Sequence, residues 1–182
     1  LSQIKIKVLE HWPKRKQGTL KKHYRRSFAE AREIITIVTP YFVPHPWLVK
    51  SLYRAVRRGV VVDIIVPERT DSFLMNMANY IFASLVYRPG INFYFVKKMI
   101  HAKALLIDQR EGLVGSQNVD ALSFDHTVEG GVVFQRRDMI EKLLLILNEW
   151  KSIGVKLTFN PKNRGWLRRF LEVIFKFLQP IL

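Results

Sequence analysis

Two hydrophobic rhythms run along this chain, one of helical period and one of unbroken apolar runs. Leu20, Tyr24, Phe28 and Ala31 recur at near-helical spacing, with Lys21, Lys22, Arg25 and Arg26 on the other side. That pattern predicts an amphipathic helix from Thr19, with Thr19 as its N-cap. The β-branched run IITIV at 34–38 predicts a buried strand. Pro40, Pro44 and Pro46 then stiffen an irregular loop, whose Tyr41, Phe42 and Trp47 could line a lipid entrance or be buried. A helix follows over about 46–58, with Leu48, Leu52, Ala55 and Val56 inward, Lys50, Arg54, Arg57 and Arg58 outward, and Gly59 as its stop. VVVDIIVP at 60–67 is a second continuous apolar strand, so the three elements form a βαβ unit with parallel strands.

Thr70 and Asp71 mark a cap before a helix over about 72–87. Strands are expected at 91–96, 101–108 and 128–134, with 112–115 continuing or pairing with the second of these across a turn at 109–111. Ile140, Leu143, Leu144, Leu147 and Trp150 give a helix over about 138–152 its core face. Residues 3–8 alternate like a strand, and 11–18 read as a basic loop. The sum is an α/β fold, an α-β-α sandwich around a mixed, mostly buried sheet, spanning 1–162. Beyond it, 163–182 reads as a basic amphipathic helix. Leu167, Phe170, Leu171, Ile174 and Leu178 share one face, suited to a membrane interface or to packing on protein.

Composition narrows the chemistry. The chain has 182 residues and no cysteine, which excludes disulfide frameworks, thiolate nucleophiles and Cys-based zinc sites. No apolar run approaches the roughly 18 residues of a spanning helix. The chain starts at Leu1 rather than Met and reads as a piece of something longer. Thirty Lys and Arg against fifteen Asp and Glu leave a net charge of +15, which points to a polyanionic partner, nucleic acid or an anionic membrane.

Candidate chemistry is concentrated in HAKALLIDQREGLVGSQN, where His101, Lys103, Asp108, Gly115, Ser116 and Asn118 fall within eighteen positions. In a strand over 101–108 the side chains of His101 and Lys103 share a face. Asp108, seven positions from His101, takes the opposite face and supports from behind. An imidazole can attack phosphorus, an ammonium holds a phosphate oxygen, and Asn118 is a donor that needs no deprotonation. Ser116 and Asn118 follow a glycine that permits close approach. An attacking imidazole needs an orienting carboxylate, and Glu129 is the candidate. No metal or cofactor is called for by this set.

H-x-K-x4-D-x6-G-S-x-N resembles the signature of the phospholipase D superfamily. IVTPYFVP at 37–44, RRGVVVDIIVP at 57–67 and GINFYFV at 90–96 resemble the second half of bacterial cardiolipin synthases. The resemblance covers about residues 19–150. It implies a metal-free, two-step phosphatidyl transfer through a phosphohistidine, with a second histidine protonating the leaving group. It makes His101, Lys103, Asn118 and Glu129 active-site residues, Ser116 a neighbour and Asp108 a support. The second-half histidine is commonly the acid and base. The sequence departs at Leu122-Ser123, where many members carry Arg-Ser, and at Thr127, where Asn is common.

Only one such motif is present, because His11, His23, His45 and His126 lack the surrounding Lys, Asp and G-S-x-N. The site is therefore half of a pair, completed by a missing N-terminal half or by a second copy. Three functions follow as expectations. The first is a phosphatidyltransferase making cardiolipin from phosphatidylglycerol, on the cytoplasmic side of the cell membrane, peripheral or anchored by a missing segment. The second is a homodimeric nuclease or phosphodiesterase, and the third a non-catalytic lipid- or nucleic-acid-binding half. Anionic phospholipid ranks above nucleic acid as partner.

Overall fold

A computed structural model describes residues 6–13 and 19–158. The expected amphipathic helix at 163–182 lies outside the described residues. The elements run β1 (Ile6–His11), α1 (Thr19–Glu30), β2 (Ile34–Val38), β3 (Phe42–Val43), α2 (Pro46–Arg57), β4 (Val61–Pro67) and α3 (Phe73–Val86). They continue with β5 (Ile91–Val96), β6 (Ala104–Ile107), β7 (Glu111–Gly115), β8 (Val119–Asp120), α4 (Ala121–Asp125), β9 (Glu129–Phe134), α5 (Arg137–Ile153) and β10 (Val155–Leu157).

Eight strands make one sheet in the order β1-β9-β7-β6-β2-β4-β5-β10, and β3 and β8 form a two-stranded sheet beside it. β2, β4 and β5 are parallel neighbours, as the βαβ reading requires, and the remaining pairs of the large sheet are antiparallel. The continuous apolar strands are explained by cover on both faces. Ile35, Ile37, Val62 and Ile64 turn to the layer of α1, α2 and α3, where Leu20, Phe28, Leu48, Leu52 and Ala83 bury them. Val38, Ile65 and Leu106 turn the other way, onto Ile140, Leu143 and Leu147 of α5.

Local signals were displaced at several ends. Thr19 is the first helical residue rather than the cap, and its hydroxyl donates to the Glu10 carbonyl. α3 is capped by Ser72, whose hydroxyl accepts the Met75 N–H, and not by Thr70 or Asp71. His45 caps α2 through Trp47 N–H, while Gly59 just past the helix end adopts φ +91°. His11 belongs to β1 rather than to a loop, and its Nε2 lies 2.7 Å from the Phe124 carbonyl in a buried position. Phe42 is buried, Trp47 is largely buried as the second residue of α2, and Tyr41 is half-buried.

Candidate active site

β6 starts at Ala104, so His101 and Lys103 sit in the irregular segment leading into it rather than on a strand. Local bonds rather than strand parity hold this segment. The Lys103 ammonium donates to the His101 carbonyl at 2.8 Å, and Gly115 N–H donates to the Lys103 carbonyl at 3.1 Å. That second bond joins the start of β6 to the end of β7. A Cβ at Gly115 would collide with the Gly130 carbonyl, so only glycine lets β7 and β9 close at this edge. Gly115 opposes Gly131, which brings Ser116 beside Gly130 and Glu129.

Ser116 is bonded three ways to the start of β9. Its backbone N–H donates to the Gly130 carbonyl at 2.9 Å, its hydroxyl accepts the Gly130 N–H at 3.1 Å, and the same hydroxyl donates to the Glu129 carboxylate. The expected Glu129–imidazole bond is absent. Among the described residues, the hydrogen bond that Glu129's carboxylate makes is to Ser116, because β9 delivers it to the Gly115–Ser116 turn. His101 is exposed, and its ring stands edge-on to Tyr41 with centroids 6.2 Å apart.

Asn118 follows on the same edge. Its backbone N–H donates to the Ser123 hydroxyl at 3.3 Å, and its amide donates to Asp120. Its Oδ1 is buried without a partner, and so are both amide atoms of neighbouring Gln117. Buried polar atoms are normally paired, so this loop holds unused hydrogen-bonding capacity beside the motif. Asp120 caps α4 by accepting the Ser123 N–H at 2.6 Å. Burial pushes the Asp120 carboxyl up, and its hydrogen bonds offset this only in part.

Asp108 is not brought to this edge. It lies at the far end of β6, where its carboxylate accepts the N–H groups of Arg32, Glu33 and Ile34 at 2.9, 2.8 and 2.9 Å. Burial acts to raise its pKa, but those three bonds prevail and hold it below the ordinary value. Its role is to cap the chain as it enters β2, and its φ of +49° belongs to the turn that starts β7.

Residues outside the motif complete the edge. Thr39 closes β2, with its hydroxyl accepting Val119 N–H at 3.1 Å and donating to the Tyr41 carbonyl at 2.8 Å. The Tyr41 hydroxyl donates to Asp71 at 2.6 Å. Burial lowers the Lys103 pKa, and the charges of Glu129, Asp120 and Asp71 oppose that shift. Tyr41, Asp71 and Asp120 carried no signal in the sequence beyond a loop aromatic and two turn acids, since a fold was needed to bring them to Lys103. Among the described residues no group of three or more His, Asp or Glu is arranged to hold a metal ion.

Residues 24–150 match the family described as "Cardiolipin synthase, PLD-like domain", where PLD denotes phospholipase D. Cardiolipin synthase A of Buchnera aphidicola (subspecies Acyrthosiphon pisum, strain APS) is 35% identical over 157 residues, covering 85% of this chain and 32% of that protein. Cardiolipin synthase A of Proteus mirabilis is 32% identical over 154 residues, covering 84% of the chain and 32% of the relative. The chain thus spans about a third of the length of these curated relatives. Among solved structures, the phospholipase D family member Nuc from Salmonella typhimurium superposes with TM-score 0.68 at 20% identity, over 84% of this chain and 99% of Nuc. Phosphatidylserine synthase from Haemophilus influenzae superposes with TM-score 0.73 at 14% identity, over 96% of this chain and 46% of that one.

Proposed function

The chain belongs to the cardiolipin synthase, phospholipase D-like domain family, and on that premise we propose that it forms one half of a phosphatidyltransferase site. The observation that supports the reading is that the Gly115–Lys103 backbone bond joins the segment bearing His101 and Lys103 to the end of β7, where Ser116 bonds Glu129 and Asn118 follows.

The reaction divides between two histidines. The nucleophilic imidazole forms a bond to phosphorus as the P–O bond to the leaving alcohol breaks, and the second imidazole gives that oxygen its proton. An acceptor hydroxyl then attacks the phosphohistidine, its proton passing to the second imidazole, and the first imidazole leaves. Among the described residues no carboxylate is hydrogen-bonded to His101, so nothing holds its tautomer for attack. An exposed imidazole that no carboxylate fixes suits the acid and base role better than the nucleophile's. The nucleophile is then the histidine of the facing half. Lys103 and the Asn118 amide offset charge on the non-bridging oxygens.

A lipid substrate is supported by the N-terminal half of α3. Phe73 and Leu74 are 76% and 69% exposed, with Met77 and Tyr80 on the same helix also exposed. They begin two residues after Asp71, which bonds the tyrosine beside His101. An apolar patch at the mouth of a polar site suits acyl chains above a phosphate. Among the described residues no helix is long and apolar enough to cross a membrane.

The test is the full-length protein on phosphatidylglycerol vesicles. Cardiolipin should form, and His101→Ala should slow it by about 10²- to 10⁴-fold while labelled phosphorus still accumulates on the enzyme. Unchanged turnover in His101→Ala, or plasmid nicking with no lipid product, overturns the reading.

A further inference from the structure

An open cavity of ≈ 510 Å³ lies between α1 and α2, away from the motif residues, and Arg25, Lys50, Arg54 and Arg58 line it. Among the described residues none of these four takes part in an ion pair. The nearby carboxylates pair with other cations: Asp125 with Lys21 and with His45, which lines the cavity, at 3.3 Å each, and Glu30 with Arg26 at 2.9 Å. Four like charges on one concavity repel each other unless an anion sits among them. Arg58 is held in place by its bonds to the Phe28 and Ala31 carbonyls, at 2.7 and 3.2 Å. Trp47 also lines the cavity, and the Arg25 guanidinium stands 5.1 Å from its ring centroid. A stacked guanidinium has lost part of its rotamer freedom before any ligand arrives.

Given the lipid reading above, we infer that this groove is a second anion site that takes the phosphate of an anionic phospholipid headgroup and seats the domain on the bilayer. The cations converge on one concavity instead of tracking a line, which matches a single headgroup better than the spaced phosphates of a duplex. The groove also lies one short helix from the catalytic edge. Trp47 meets Phe124 of α4 with centroids 5.0 Å apart, and Asp125 of α4 pairs with His45 at the start of α2. Ser123, the residue before Phe124 in α4, accepts the Asn118 N–H at its hydroxyl.

The experiment is sedimentation of the chain with phosphatidylglycerol vesicles and with phosphatidylcholine vesicles, read without catalysis. Lys50→Ala/Arg54→Ala should weaken partition to the anionic vesicles about thirtyfold, from roughly fivefold per basic residue near an anionic surface. Arg137→Ala/Lys142→Ala removes the same charge from α5 and should weaken it less than about threefold, as diffuse charge would. Glycerol phosphate in solution should not displace the chain. Equal losses in the two double variants overturn the site in favour of general attraction. Complete displacement by glycerol phosphate makes it a pocket for soluble phosphate. Loss of duplex DNA binding with vesicle partition intact assigns it to nucleic acid. His101→Ala should leave partition unchanged, so vesicle binding that needs Lys50 and Arg54, combined with no cardiolipin made by the full-length protein, defeats the catalytic reading and not the groove.

Discussion

Asp108 shows how far one residue can be read without coordinates. Counting positions in a strand placed it away from His101, and it is away, but the strand starts three residues later than the count assumed. What holds Asp108 is the chain of Arg32, Glu33 and Ile34, more than seventy positions distant, which no local pattern reports. Glu129 shows the converse. Its residue type and place on the motif's edge were legible, while its partner was not, because the Gly115–Gly130 approach gives the carboxylate to Ser116. The two acids therefore answer differently to mutation. Asp108→Ala leaves three N–H donors without a charged acceptor and should destabilise the fold by on the order of 3 kcal/mol, seen as a lower denaturant midpoint. Activity per folded molecule should be unchanged. Glu129→Gln keeps the shape and removes one of the charges acting on Lys103, so it should change turnover with little change in midpoint. An Asp108→Ala protein that is fully stable but inactive would return that carboxylate to the chemistry.

Elements were legible in proportion to their length and periodicity. α1, α2 and α5 each expose one charged side and bury one apolar side, α3 carries no charged residue and exposes Phe73 and Leu74, and the strands β2, β4 and β5 are mostly apolar runs, broken by Asp63 in β4 and Asn92 in β5. β3 and β8 have two residues each, and pair only because the Thr39 hydroxyl ties the end of β2 to Val119. β10 is the same case, since three largely exposed residues gain their pairing from β5. Between elements, Glu111 at the start of β7 joins α1 to the end of β9. It pairs with His23 at 3.2 Å, accepts the Ser27 hydroxyl at 2.9 Å and accepts Gln135 at 3.0 Å. The His23 bond, against burial and with the help of Ser27 and Gln135, lowers the Glu111 pKa from 4.5 to about 2. A carboxyl depressed by folding stabilises fully above its unfolded value and loses that contribution as pH falls through its folded one. The window is therefore about pH 4.5 down to about 2, and at about 1.36 kcal/mol per pH unit the contribution is capped between about 3 and 4 kcal/mol, less what solvent screening removes. Glu111→Gln should flatten the stability-versus-pH curve in that window, measured by denaturant titration at steps of pH. A curve identical to the unmodified chain would mean that the interface does not depend on this charge.

At the scale of the whole molecule, the edge is short of cations. The charges of Glu129, Asp120 and Asp71 act on Lys103, so even with Asp120 pushed up by burial the proposed half-site has more acids than cations. The net charge of +15 does not repair this, because the unpaired cations of α1 and α2 line a different face. Leu122 adds to the shortage, being half exposed where many phospholipase D-type sequences carry arginine. A phosphodiester held here needs positive charge brought by another body, which is a physical argument for a facing half independent of the missing second histidine. The chain alone should therefore release no product from phosphatidylglycerol vesicles. Activity should appear when a companion half bearing its own H-x-K motif is supplied as a separate polypeptide, and should vanish when either histidine is replaced by alanine. If instead activity of the chain alone rises with the square of its concentration, and mixing active with His101→Ala chains quenches it, the facing half is a second copy. Turnover by the chain that is first order in its concentration, down to dilutions where sedimentation shows a monomer, would mean that one imidazole and one ammonium suffice.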